Sequence, residues 1–249
     1  MFNTYLKKSL SVLPKGMQKD VENIVNQKRY ISFSDRRQAE QFSARSRTSH
    51  LHIDNFLMSQ GVKDCMTWKG IALGKSVYDF ALIPMIIWEI QPATIIEIGS
   101  GEGASAIWMA DLCKTYNLPA KVISMDIEPP NIEYERVTFI KGDSKQISDF
   151  DTKNLPHPWL IVEDAHVEVN KVISYFEKHM QIGDYMIIED SWGKKGSTLE
   201  IPNTLLVDAY YCDYFGLNAT SAMNTILCKR SLLHSKSTAS KQRTKCQMK

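Results

Sequence analysis

The stretch TIIEIGSGEG (residues 94–103) carries four residues of strong strand preference, Thr94, Ile95, Ile96 and Ile98, straight into three closely spaced glycines. β-Branched side chains favour extended backbone, and glycines permit the tight turn that must follow. Residues 104–116 then have helix-like composition. A strand turning on glycines into a helix opens a βαβ unit, and the free N–H groups at the helix start make a polar binding edge. The same alternation continues outward. KVISMD (121–126), VTFIKGD (137–143), WLIVED (159–164) and YMIIED (185–190) read as strands, residues 167–180 as a helix, 202–214 as a further helix and 224–228 as a last strand. Strands alternating with helix-length segments predict an α/β fold with a mainly parallel sheet.

Two ligands suit the glycine loop, a dinucleotide or S-adenosylmethionine (SAM). The spacing is G-x-G-x-G (Gly99, Gly101, Gly103, with Ser100 between), and Glu97 stands two residues before it. A carboxylate there repels a pyrophosphate but tolerates a sulfonium ligand that also carries an ammonium group. Glu102 inside the loop adds to that objection. Asp126 ends the next strand, where an acidic side chain can accept hydrogen bonds from both ribose hydroxyls. SAM is therefore favoured over NAD, and a glycine turn that binds nothing is disfavoured by the position of Asp126. Asp143, in KGDS (141–144), follows the third strand as either an adenine-framing contact or a turn residue.

Two of the strands finish in paired acids, Glu163-Asp164 and Glu189-Asp190, and His166 follows the first pair. Like charges held close together repel or share a proton, so stability gives no reason for the pairs. They point to a function at that edge.

Bulk composition bounds the rest. A chain of 249 residues, 43% hydrophobic, can bury a sizeable core, and a net charge of +2 gives no reason to expect nucleic acid. Cys65, Cys113, Cys212, Cys228 and Cys246 form no CxxC pair, which fits reduced thiols in a cytoplasmic protein. Residues 9–14 are too short and mixed for a signal sequence, and the apolar run 80–88 contains Pro84 and is too short to span a bilayer. Residues 1–65 read as a helical N-terminal arm, with helix-like stretches at 18–28 and 35–45 and little strand character. They form a packing arm or a lid. Residues 66–230 form the main domain, and 231–249 a disordered basic tail with no apolar face.

With these pieces in place the chain resembles the class I SAM-dependent methyltransferases, and more narrowly the cephalosporin hydroxylase / rhamnosyl O-methyltransferase family. The resemblance rests on Trp68-Lys69-Gly70, Asp79, IIWEIQPATIIEIGSGEGASAIWMADL (86–112), VISMDIE (122–128), FIKGDS (139–144), IVEDAH (161–166) and GDYMIIED (183–190). It implies a Rossmann-like seven-stranded sheet in the order 3-2-1-4-5-7-6, SAM over the glycine loop, and a divalent cation beside it. SAM contacts are then expected from Trp68, Lys69, Gly70, Glu97, Gly99, Ser100, Gly101, Gly103, Ser105, Asp126, Ile127, Gly142, Asp143, Ser144, Glu163 and Asp164. In that strand order the two acidic strand ends are neighbours, about 4.8 Å apart. An all-oxygen cluster there suits Mg²⁺ or Ca²⁺. Alignment with the family makes Glu163, Glu189 and Asp190 the cation ligands, although relatives more often carry Asp at the first. Glu163 and His166 are the expected catalytic pair, with His166 as general base. The expected activity is O-methylation of a small hydroxylated metabolite, natural-product or sugar-like, in a possible homo-oligomer with neither nucleic acid nor membrane as partner. A SAM-binding partner subunit of another biosynthetic enzyme, or an N- or C-methyltransferase holding a cationic substrate, are the alternatives.

Overall fold

The computed structural model of the chain describes residues 29–34, 66–191, 198–212 and 224–230. Along the chain these form β1 (Tyr30–Ile31), β2 (Thr67–Trp68), β3 (Ile71–Ala72), α1 (Asp79–Ile90), β4 (Thr94–Ile98), α2 (Ala104–Thr115), β5 (Lys121–Asp126), β6 (Val137–Lys141), β7 (Trp159–Glu163), α3 (Val169–His179), β8 (Tyr185–Ile188), β9 (Leu205–Asp208), α4 (Ala209–Cys212) and β10 (Thr225–Lys229). A 3₁₀ turn, Ser144–Asp149, follows β6.

Every residue of β4, β7 and β8 is buried. Such runs belong to the centre of a parallel sheet covered on both faces, and they explain why these strands read as mainly apolar stretches. β4 pairs in parallel with β5 and β7, β5 with β6, and β7 with β8. β10 then inserts antiparallel between β8 and β9. Counting from β4, this reproduces the expected order 3-2-1-4-5-7-6.

The sheet has eight strands, one more than expected. β1 adds antiparallel to β9, with Tyr30 opposite Asp208 and Ile31 opposite Val207. The Arg29 guanidinium holds it there, reaching both carboxylate oxygens of buried Asp208 at 2.8–3.1 Å and Glu89 of α1 at 2.7 Å. This part of the N-terminal arm is thus strand, where helix was expected. The helix-like stretches 18–28 and 35–45 and the tail 231–249 lie outside the described residues.

A second correction falls on residues 202–214. The helix expected there begins only at Ala209, because Leu205, Leu206 and Val207 are buried in the ladder between β10 and β1. Pairing on both sides decides the backbone against local preference. In α1, Pro84 removes the bond to the carbonyl of Phe80. The helix continues because Leu82, Ile83, Ile86 and Ile87 are all buried. At about 1.5–3 kcal/mol per buried side chain their packing exceeds the loss. Among the described residues no helix is long and apolar enough to cross a membrane.

Candidate active site

The glycines take the conformations that their positions demand. Gly99, Gly101 and Gly103 have φ of +102°, +48° and +87°, and Gly103 is the residue on which α2 starts. Asp126, at the end of β5, closes the loop from below: one of its oxygens accepts from Ser100 N at 2.8 Å and Gly101 N at 3.2 Å. Its other oxygen accepts from Glu128 N at 3.0 Å. Above lies a cavity of about 550 Å³. Of the residues expected to hold a cofactor, Gly99, Ser100, Gly101, Ser105, Asp126, Ile127, Gly142, Asp143, Ser144 and Asp164 line it. Asp143 is also a turn residue, since its carboxylate accepts from Lys145 N at 2.8 Å.

Other residues of that set lie elsewhere. Glu97 is fully buried beside the sheet, where its two oxygens accept from the Ser105 and Ser124 hydroxyls. Burial pushes its carboxyl up to about 7, against the opposing influence of Lys75 and the two serines. Trp68 and Lys69 face the flank of α2. The Trp68 indole donates to Asp111 at 2.8 Å, the Lys69 ammonium lies 3.0 Å from the same carboxylate, and the Tyr134 hydroxyl meets both Lys69 and Asp111. Lys69 and Gly70 both have positive φ, as a two-residue hairpin turn requires. The residues after the hairpin, Leu73 and Gly74, line the cavity in their place. Gly103 does not line it either. A Cβ there would meet the Phe139 ring at 2.8 Å and Pro130 at 2.9 Å, so this glycine serves packing.

The acidic strand ends are neighbours, as expected, because Glu163 is level with Ile188. That register puts Asp164 level with Glu189, and both turn to the same partner. The Lys75 ammonium lies 2.8 Å from Asp164 Oδ2 and 2.6 Å from Glu189 Oε2. Burial alone would lower the lysine's pKa, but the charges of Asp164 and Glu189 reverse this and hold it well above an ordinary lysine. Burial would raise Asp164, and Lys75 with His166 outweighs it and keeps that carboxylate well below its usual range. Glu189 is pushed upward by burial and by the charge of Asp164, with Lys75 opposing.

Glu163 is fully buried and accepts from the backbone N–H of His166 at 2.8 Å. It therefore positions the histidine. His166 and Asp190 both have left-handed backbone, with φ of +58° and +46°, which interrupts strand alternation and swings their side chains together. His166 Nε2 lies 3.3 Å from Asp164 Oδ1 and 3.6 Å from Asp190 Oδ2. One donor atom each from Asp164, His166 and Asp190 falls within 4.8 Å of the others. Of the expected ligand set Glu163, Glu189 and Asp190, Asp190 joins this constellation, while Glu163 turns to the His166 backbone and Glu189 to Lys75.

Each member of the constellation is held from behind by a buried polar group. Lys75 grips Asp164, Glu163 grips the His166 backbone, and Asn224 Oδ1 accepts from Asp190 N at 3.0 Å. Asn224 in turn donates to Asp79 Oδ1 at 3.0 Å, and Asp79 accepts from the Ser76 N–H and hydroxyl at the head of α1. Two carboxylates and an imidazole fit a divalent cation whose remaining positions go to water or substrate. With His166 as a third ligand the choice would extend from Mg²⁺ toward Mn²⁺ and similar ions, and with its nitrogen kept for a proton the two carboxylates suit Mg²⁺. Lys75 and Asn224 were not singled out from the sequence.

The family model described as rhamnosyl O-methyltransferase/CmcI matches residues 60–203. The chain is 29% identical over 137 residues to the rhamnosyl O-methyltransferase of Mycobacterium leprae (strain TN), covering 50% of this chain and 60% of that protein. To the rhamnosyl O-methyltransferase of Mycobacterium tuberculosis (strain ATCC 25618 / H37Rv) it is 27% identical over 139 residues, covering 50% and 56%. The chain thus spans somewhat over half the length of the curated relatives it matches. Among solved structures, CmcI in its Mg-SAM form superposes with a TM-score of 0.58 at 24% identity, over 68% of this chain and 78% of that one. CmcI with SAH gives 0.57 at 24%, over 66% and 81%. At that identity the likeness shows the fold.

Proposed function

The chain belongs to the rhamnosyl O-methyltransferase/CmcI family, a family of SAM-dependent methyltransferases, and from that premise we propose that it methylates a hydroxyl oxygen of a small, sugar-like metabolite. One observation carries the reading. Asp164 both lines the cavity over the glycine loop and belongs to the Asp164–His166–Asp190 constellation, so the cofactor edge and the acidic edge open to one another. SAM supplies an electrophilic methyl group whose transfer to oxygen leaves a neutral thioether. The glycine loop and Asp126 hold its amino-acid and ribose parts, and Ile127, 59% exposed at the rim, offers its adenine an apolar face. A bound divalent cation would lower the pKa of a hydroxyl that it touches. Asp164 and Asp190 are its ligands in this reading, and both side chains also fix the acceptor's position.

His166 Nε2 takes the proton that the hydroxyl loses, and the two flanking carboxylates stabilise the resulting imidazolium. Alignment of acceptor, methyl group and sulfur supplies the rest of the rate. Residues 66–230 are the catalytic unit in this reading.

The 249-residue chain should bind SAM in calorimetry with or without EDTA. Turnover on a panel of sugar-bearing acceptors should fall about a hundredfold or more on chelation or in Asp190→Ala, with Mg²⁺ or Mn²⁺ restoring the chelated enzyme. Absence of SAM binding sinks the assignment, and full turnover after exhaustive chelation sinks the cation. His166→Ala should lose rate while keeping cation affinity; a loss of affinity instead would make His166 a ligand. Turnover only in the presence of a second protein would favour the partner-subunit alternative.

A further inference from the structure

Glu97 is the one titratable side chain in β4, and it is fully buried. Burying a carboxyl costs free energy that an apolar residue in the same place would avoid, so packing does not account for it. What surrounds it is a set of hydroxyls. Glu97 Oε1 accepts from Ser105 in the first turn of α2, and Oε2 accepts from Ser124 in β5. Ser124 Oγ lies 2.6 Å from Ser100 Oγ in the glycine loop, and either atom can be the donor. Ser100 and Ser105 line the cavity, whereas Glu97 and Ser124 do not. A buried carboxyl is thus joined to the cofactor cavity through Ser124 and Ser100.

Burial pushes the Glu97 carboxyl up, Lys75 from the loop before α1 and the two serines oppose it, and Asp164 from the end of β7 adds to the rise. The first two turns of α2 bring no charge. β5 sets Ser124 level with Glu97, and its terminal acid, Asp126, is turned to the loop N–H groups. The hydroxyl chain can then run in two directions. With Glu97 ionised, Ser124 donates to Oε2 and Ser100 donates to Ser124, which leaves Ser100 an acceptor toward the cavity. With the proton on Oε2, Glu97 donates to Ser124 and Ser124 to Ser100, which makes Ser100 a donor toward the cavity. Only the first arrangement suits an ammonium group, and SAM carries one in its amino-acid part.

We propose that Glu97, Ser124 and Ser100 form a proton relay by which the glycine loop recognises the charge of the cofactor's amino-acid end. When the ammonium group settles over the loop, Glu97 gives its proton to Ser124, Ser124 passes one to Ser100, and Ser100 passes one to water. Each hydroxyl gains and loses one proton, Oε2 keeps the electron pair of its broken O–H bond, and solvent takes up the proton. Glu97 is a positioning residue in this scheme, since it acts through Ser100. Its carboxyl stands at about 7 in the ligand-free chain, so cofactor binding is favoured as pH rises toward that value and levels off above it. The proposal rests on SAM as the cofactor and needs neither acceptor nor cation.

The test is calorimetry on the 249-residue chain with S-adenosylhomocysteine (SAH), which keeps the ammonium group, lacks the sulfonium charge and allows no turnover. At pH 6.5, titrations in buffers of different ionisation enthalpy should show wild type releasing about half a proton or more per SAH bound. Glu97→Gln, whose amide donates to Ser124 as the neutral acid does, should release almost none. Wild-type affinity should rise about tenfold from pH 5.5 to pH 7.5, while that of Glu97→Gln stays level near the wild type's acidic value. 5′-Methylthioadenosine lacks the amino-acid part and should bind wild type without this release. Ser100→Ala removes the mouth of the relay, leaves Glu97 in place and should lose most of the release. Equal proton release by wild type and Glu97→Gln, or by SAH and methylthioadenosine, overturns the proposal. Release that persists in Ser100→Ala overturns the relay, because Glu97 would then answer the ligand's charge directly across space. Should Glu97→Gln fail to fold, Ser100→Ala and methylthioadenosine decide alone. Binding of SAH without this linkage overturns the proposal by itself, whereas no binding at all overturns the cofactor reading with it.

Discussion

Alanine at Gly99 and alanine at Gly101 should have opposite kinds of effect, although the two glycines are two residues apart in one loop. A Cβ at Gly99 would stand 2.7 Å from Ala165 N, 2.8 Å from the Asp164 carbonyl carbon and 3.0 Å from Ala165 Cα. These are backbone atoms, which cannot swing aside as a side chain can. Overpacking of this kind costs about 1–3 kcal/mol. The backbone there also has φ of +102°, outside the range an alanine adopts without strain, which adds about 1–3 kcal/mol. At Gly101 a Cβ meets nothing within 4 Å, and φ is +48°. Only the left-handed backbone penalty remains, about 1–2 kcal/mol. Urea unfolding of the two variants without ligand is the assay. With slopes of about 1–3 kcal/mol per molar, Gly99→Ala should unfold roughly 1 M or more below Gly101→Ala. Because the clash pushes on the peptide that carries Asp164, Gly99→Ala should also weaken cation binding, whereas Gly101→Ala should weaken SAM alone. Midpoints that coincide, with cation affinity intact in both, would refute the contact between the glycine loop and the acidic strand end.

Asp126→Ala should weaken SAM by about 1.5–3 kcal/mol through lost charge-assisted contacts, and because Asp126 also receives Ser100 N, Gly101 N and Glu128 N, the ligand-free protein should become less stable as well. Calorimetry paired with a melting curve checks both halves, and an unchanged melt would show that the loop stands without Asp126. Glu97 makes a prediction about pH. Its carboxyl rises from 4.5 to about 7 on folding, so between these values the folded chain keeps a proton that the unfolded chain has released. Its contribution therefore falls as pH rises through that window, by about 3 kcal/mol in total, and is level above it. Wild type should lose ground to Glu97→Gln between pH 5 and pH 8 in denaturant titrations; parallel curves would contradict this origin.

The sheet was legible because its central strands are largely buried and so appear as mainly apolar runs that stop at Gly99, Asp126, Glu163 and Glu189. β9 was not, since Leu205-Leu206-Val207 is too short to show a period and its neighbours favour helix; only pairing with β10 and β1 makes it extended. At the site, residue type and location were readable and direction was not. The strand ends carry four acids, and alternation alone cannot choose among them once His166 and Asp190 turn left-handed. Trp68 and Lys69 were assigned by resemblance to the cofactor, while the charge of Asp111, a full element away, draws them to α2. Lys75 did leave a trace: a single cation four residues before Asp79, in a stretch otherwise small or apolar.

The eighth strand has a consequence for how the molecule is made. The neighbouring strands β4 to β8 pair across 15 to 65 positions of chain, so the loops they close are much shorter than the one that brings β1 to β9. Arg29 and Asp208 lie 179 positions apart, and joining them closes nearly the longest loop that the described chain contains. The entropy of that closure is repaid only after β9 already stands in the ladder. β1 therefore has its pairing partner only once β9 is in place. During the interval β9 presents an open row of N–H and C=O groups to any passing strand, the usual route to mispairing between chains. Tyr30–Ile31 ends that exposure, and the salt link of Arg29 to Asp208 makes the ending selective for this strand over a stranger's.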